Sequence, residues 1–223
     1  MEVRMQSRKI STRRMQVLVL VAIIISIVTF GPIRRSATSP ATVRYVIDTP
    51  RSKFMARAFA GGLLWFKGHD HHLVAREFSG EVELTPDSIT PASLHLVVKA
   101  GSLVETGAAF TEPQKEIINK ELREIVLHPD KYPDIIFQST SVKSKPAEGG
   151  GYDVEIRGKL TLHGATRNEE IHTHVTLQGN ELRAIGDFTI DRGGYGVKAT
   201  SAFHGLVRVR DTVKFTFDIV ARR

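Results

Sequence analysis

The side chains in this chain with the most obvious chemistry are its nine histidines, gathered mainly in two tight groups, and there is no cysteine beside them. One group is the run Gly68-His69-Asp70-His71-His72; the other is the pair His172 and His174. Neutral imidazole is a common metal ligand, and residues two apart on a strand project from the same face. His172 with His174, or His69 with His71, could therefore chelate together, with Asp70 as a further ligand or as an acceptor behind the metal. The competing readings are a polar turn for the first group and the solvent face of a strand for the second. No His-Glu-x-x-His motif occurs, so the zinc-peptidase arrangement is absent. The lack of cysteine excludes disulfides, thiolate metal sites and cysteine nucleophiles. Gly193, Gly194 and Gly196 do not lead from a strand into a helix, so they read as a hairpin or bulge and not as a phosphate loop. A metal-binding protein or metal-dependent enzyme using His69, Asp70, His71 and His72 thus stands as the chemical alternative.

The elements that would carry these groups are mostly strands. Phe78, Gly80, Val82 and Leu84 alternate with polar residues, as do Leu94, Leu96 and Val98, and Val154, Ile156, Gly158, Leu160 and Leu162. Ile171, Val175 and Leu177 share one parity and leave His172 and His174 on the other; Val213, Phe215, Phe217 and Ile219 repeat the pattern near the C-terminus. A period of two with one apolar face is the mark of antiparallel strands that meet water on one side. Thr85-Pro86-Asp87, Glu148 to Gly151, Gln178-Gly179-Asn180 and Arg192-Gly193-Gly194 punctuate the runs. About eight strands are expected on this count.

One stretch breaks the period. Ile118, Leu122, Ile125 and Val126 have helical spacing between Glu112 and Leu127. Thr111 suits the N-cap, Pro113 the first turn, and His128-Pro129 the stop. The sequence therefore predicts an all-β, mainly antiparallel fold: a closed barrel of about eight strands with one inserted helix, since closure removes exposed sheet edges. Trp65 and Phe66, beside the histidine run, read either as an aromatic lid or as strand core.

The formal net charge of +7 is misleading. Residues 1–43 hold seven basic residues against one acid, which leaves 24 basic and 23 acidic residues in 44–223. A nucleic-acid partner would need a basic surface to neutralise phosphates, so none is expected. Residues 1–14 form a basic segment, and Met15 to Ile33 is an uncharged run of 19 residues. As a helix that run reaches about 28 Å, close to the hydrocarbon thickness of a bilayer. The basic residues ahead of it keep the N-terminus cytoplasmic and send the remainder across. A transmembrane anchor in the inner membrane is expected, with a cleaved signal as its rival. Residues 34–43 read as a linker, and 44–223 as the extracytoplasmic domain.

Several stretches, in order, resemble the YceI-like family of periplasmic lipid-binding proteins. They are Tyr45-Val46-Ile47-Asp48, Phe78-Ser79-Gly80-Glu81-Val82, the run from His128 through Lys131-Tyr132-Pro133 to Phe137, and the block from Gly158 to Arg167. Gly186 to Val197 and Asp211 to Val220 are similar to its closing strands. The resemblance implies a lipocalin-like barrel enclosing an isoprenoid or related lipid chain, with no cofactor and no catalytic group. On that reading one strand parity lines the interior: Phe78, Val82, Leu96, Phe137, Ile156, Leu160, Phe188 and Phe215. The competing reading is that these side chains simply fill a core.

Overall fold

A computed structural model describes residues 41–86, 88–198, 201–202 and 206–223. The expected basic segment and anchor, and all but the end of the linker, lie outside the described residues. Among the described residues no helix is long and apolar enough to cross a membrane.

Among the described residues twelve strands form one antiparallel sheet: β1 (Val43–Ile47), β2 (Lys53–Gly61), β3 (His71–Ala75), β4 (Phe78–Thr85), β5 (Ile89–Lys99), β6 (Leu103–Glu105), β7 (Asp134–Pro146), β8 (Tyr152–Leu162), β9 (Ala165–Gln178), β10 (Glu181–Asp191), β11 (Ser201–Ala202) and β12 (Val207–Arg222). The spatial order β1–β4–β5–β7–β8–β9–β10–β12 closes on itself where Ile47 lies opposite Ala221. Beyond that rung β12 continues along β2, β2 along β3, and β3 along β6. The pairs β1/β2, β3/β4 and β5/β6 are thus single barrel staves, each broken once. Helical turns at Thr49–Arg51 and Ala100–Ser102 make two of the breaks. Eight staves result, as the alternation predicts.

The register sends the expected parity inward. Val154, Ile156, Leu160 and Leu162 of β8 are buried, as are Ile171 and Val175 of β9 and Phe215 and Ile219 of β12. Outward charges pair across strands instead, as in Arg183–Asp218 at 2.6 Å and Lys214–Asp187 at 3.2 Å. His163-Gly164 makes the two-residue hairpin between β8 and β9, with φ of 52° and 77°. Positive φ at both positions matches the right-handed twist of the strands it joins.

The helix α1 (Glu112–Glu121) begins as expected: the Thr111 N–H donates to the Gln114 amide oxygen at 2.8 Å. Residues Leu122–Leu127 then widen into a π-helical turn, and His128 ends it with φ of 48°. That widening corrects one expectation. Ile118, Leu122 and Val126 face the barrel, but Ile125 is exposed. More residues per turn shift the helical phase, and Ile125 falls off the apolar stripe.

Gly158 shows how tightly the inner wall is set. A Cβ there would lie 2.9 Å from Phe137 Cε2 and 2.6 Å from the Gln138 carbonyl oxygen. Only a bare backbone lets the Phe137 ring lie flat on β8. Gly158→Ala is expected to lower unfolding free energy by about 1–3 kcal/mol, the usual cost of overpacking, as read by urea denaturation.

Candidate binding site

The interior is divided into two chambers stacked along the barrel. The first has a volume of about 110 Å³. Its wall is hydrocarbon from every stave, and only Ser93 and Thr173 bring hydroxyls. The Thr173 hydroxyl is already committed to the Ile185 carbonyl at 2.9 Å. The second chamber, about 130 Å³, lies between the barrel wall and the helical segment, lined by Ile118, Leu122 and Val126 from the latter.

A row of phenyl rings partitions them. Phe78 to Phe54 is 6.3 Å between centroids, Phe54 to Phe215 is 5.9 Å, and Phe215 to Phe188 is 4.9 Å at 14° between planes. Phe54 and Phe188 line the first chamber and Phe215 the second, so these rings are the shared wall. Of the interior residues expected from sequence, Val82, Leu96, Phe137, Ile156, Leu160 and Phe188 line the first chamber and Phe215 the second. Phe78 is buried against Phe54 in the partition. Sequence reading passed over Phe54, although Phe54, Ala56 and Ala58 alternate with charged and longer side chains in the same way as the strands it did use.

The second chamber has a polar corner built on Glu105, which the sequence did not single out. Its side chain is fully buried in the β6 edge. His71 Nδ1 lies 2.9 Å from one carboxylate oxygen; the His72 and Gly107 N–H groups donate to the other at 3.1 and 2.7 Å. Burial alone would push the Glu105 carboxyl up, but these hydrogen bonds outweigh it and hold the carboxyl below the ordinary glutamate range. An ionised carboxylate only accepts, so the His71 proton sits on Nδ1. Phe110 stacks on the His71 ring at 5.2 Å, and Asn119 of α1 accepts the Glu105 N–H at 2.7 Å. His71 is thus a fixed member of the second chamber's wall. Arg192 lines the same chamber, yet its guanidinium already donates to the Val197, Val209 and Arg210 carbonyls and to Asp211. It braces the bulge in β12.

These contacts give the metal alternative no support. Asp70 is occupied by Arg57 at 2.6 Å and by the Ala60 N–H at 2.9 Å. His71 points to Glu105, and strand alternation turns His72 to the other face of β3. His69 meets the edge of Phe110 instead of a shared ligand. Among the described residues no group of three or more histidines and carboxylates is placed to hold a metal. His172 and His174 lie on the outer face beside Glu170 and Asp153.

A family model for the YceI-like domain matches residues 45–221. The chain belongs to the YceI-like family. Among curated proteins no sequence matches it. Solved structures do. BcnA of Burkholderia cenocepacia is 20% identical, with a TM-score of 0.61 over 78% of this chain and 98% of its own. A domain of Saccharophagus degradans, described as polyisoprenoid-binding and implicated in plant cell wall breakdown, is 15% identical with a TM-score of 0.59, over 80% and 97%. The Campylobacter jejuni YceI protein is 14% identical with a TM-score of 0.52, over 68% and 84%. At these identities the likeness is one of fold.

Glu105 gives this YceI-like domain a testable acid response. A carboxyl held below its unfolded value of about 4.3 adds stability above that pH, and the gain is lost as pH falls through the folded value. The stability gap between wild type and Glu105→Gln is therefore expected to be widest above about pH 5 and to narrow toward pH 3, measured by denaturation at each pH.

Proposed function

We propose that this domain binds or carries an apolar chain, an isoprenoid or another lipid, inside its barrel. The observation that carries the reading is the pair of stacked apolar chambers, whose long common wall is hydrocarbon. An unfilled apolar void forfeits roughly 24 cal/mol per Å³, so each chamber costs on the order of 3 kcal/mol that a hydrocarbon guest would restore. Each is also near the size of the engineered cavity of about 150 Å³ that stays dry and accepts benzene. A five-carbon isoprene unit is of that scale. Rotation of Phe54 and Phe215 would join the two chambers into one channel for a longer chain. Each methylene-sized group moved from water into it gains about 0.8 kcal/mol. The polyisoprenoid-binding description of the Saccharophagus degradans relative supports the same class of guest.

The residues proposed to touch the chain are Val82, Leu96, Phe137, Ile156, Leu160, Phe188 and Phe215, with Phe78 behind the partition. The activity is binding and not catalysis, because a hydrocarbon guest offers these walls nothing to react with. The domain works outside the cytoplasm, held at the inner membrane by residues 15–33. That placement rests on the basic residues ahead of an apolar run long enough to span.

Native mass spectrometry of the full-length protein, followed by organic extraction, tests the reading. A bound lipid that is lost when Ala184→Phe fills the first chamber is the expected result. Wild type that neither copurifies with nor takes up a polyprenol, a quinone or a fatty acid would refute it. Added polyprenol should also raise the melting temperature of the wild type, and at least twice as much as that of Ala184→Phe.

A further inference from the structure

Exposed apolar side chains are unevenly placed on this barrel. Leu63, Trp65 and Phe66 of the β2–β3 connection are 77%, 56% and 62% exposed, and Leu206, just before β12, is 42% exposed. The two segments are tied together, the Leu64 N–H donating to the Leu206 carbonyl at 2.9 Å. The connection is an ordered turn, since Lys67 N–H meets the Leu64 carbonyl at 2.9 Å and Gly68 N–H the Trp65 carbonyl at 3.0 Å. Trp65 and Phe66 stand edge to face, 6.4 Å apart. Neither ring belongs to the strand core, which overturns that part of the sequence reading. A folded turn that holds an indole, a phenyl ring and two leucines out in water needs a reason.

The charges around this tip supply one. Lys67 lies in the same turn, and Arg208 and Arg210 project outward from β12. Their stems pass close to Gly61 and Gly62: Cβ atoms built there would lie 2.8 Å from Arg210 Cγ and 3.4 Å from Arg208 Cγ. Among the described residues none of the three cations has a carboxylate partner, whereas several outward arginines elsewhere on the barrel pair across strands, as Arg157 does with Glu170 at 2.9 Å and Arg183 with Asp218 at 2.6 Å. The nearby acid, Asp70, is spent on Arg57.

We propose that this tip docks the domain on an anionic lipid bilayer. Leu63, Trp65, Phe66 and Leu206 enter the interfacial layer, and Lys67, Arg208 and Arg210 meet lipid phosphates. Tryptophan suits that depth because its ring is apolar while its N–H still finds a partner. The basic collar selects the lipid over a second copy of this chain, which would set the same three cations against one another. Val209, between the two arginines in sequence, lines the second chamber. Docking therefore brings the wall of that chamber beside the membrane. The inference stands on the tip alone and holds whether or not the interior takes a chain.

Trp65 is the only tryptophan in the chain, so its emission reports this tip and not the N-terminal segment. The full-length protein is reconstituted in vesicles of phosphatidylcholine alone, or of phosphatidylcholine with phosphatidylglycerol, each with or without brominated acyl chains. The expected result is a blue shift and bromine quenching with phosphatidylglycerol, both reversed by high salt. Each basic side chain near an anionic surface changes affinity roughly fivefold, so Lys67→Glu with Arg208→Glu should cut the response more than about tenfold. Neither of those side chains makes a described hydrogen bond within the fold, and Lys143→Glu with Lys145→Glu, on β7, should leave the response unchanged. Emission that stays red and unquenched in the anionic vesicles overturns the proposal. So does quenching indifferent to phosphatidylglycerol and to the Lys67 and Arg208 reversals. A blue shift that grows with protein concentration in the absence of lipid assigns the tip to self-association and overturns it as well.

Discussion

Strand β12 has two edges and both must be occupied for this domain to exist as a barrel. One edge is paired with β10 from Thr212 to Arg222 and with β11 at Val207 and Arg208, and its other edge is shared between β2 and, past the turn at Thr49–Arg51, β1. Backbone N–H and C=O groups left unpaired in an apolar interior cost as much as lost hydrogen bonds, so a sheet of this length with an open inner edge would not be stable. Closure through β12 converts a string of half-apolar ribbons into an enclosure. The interior chambers, the outward ion pairs and the crowding of apolar rings all follow from that ring of hydrogen bonds.

Closure is incomplete at one place, and the polar chemistry of the domain is found there. β6 pairs with β3 but has no rung to β7; the chain between them folds as α1 and the π-helical turn. Asn119 accepts the Glu105 N–H that a neighbouring strand would otherwise have taken. Glu105 in turn gathers His71 and two backbone N–H groups, so the gap is sealed by a network and not by a ladder. A buried carboxylate is tolerated because both its oxygens are hydrogen-bonded, one to His71 and the other to the His72 and Gly107 N–H groups. The same gap is where the second chamber forms, bounded by helical side chains instead of a ninth stave.

The inner wall combines rings with bare backbone. Gly158 leaves room for Phe137, and a Cβ at Gly186 would lie 2.7 Å from the Phe217 ring. Large and absent side chains on facing positions let phenyl rings lie along the wall. The row Phe78–Phe54–Phe215–Phe188 runs over four adjoining staves, with Phe215 directly opposite Phe188 on paired strands. Such a row separates two voids while offering only torsional barriers to their union.

Much of this was legible from the linear chain. Strand number, inward parity and the start and stop of the helix rest on local spacing, the family on the ordered motif stretches it resembles, and a period of two admits only one inward set once one face must be dry. His172 and His174 could be assigned to the outer face for that reason alone. What local spacing could not reveal are relations between distant residues. Nothing near Glu105 announces that His71, 34 positions earlier, will donate to it, or that Arg57 will take Asp70 away from the histidine run. Nor does periodicity foresee that the helix loosens at Leu122 and turns Ile125 outward, or that Trp65 and Phe66 end on a surface turn. By itself the sequence determined which faces of the strands are apolar, because alternation is a property of neighbours. Only the tertiary structure decided that those faces surround two chambers and that Leu63, Trp65, Phe66 and Leu206 gather outside them at one tip, because voids and exposure depend on how staves far apart in sequence are packed against one another.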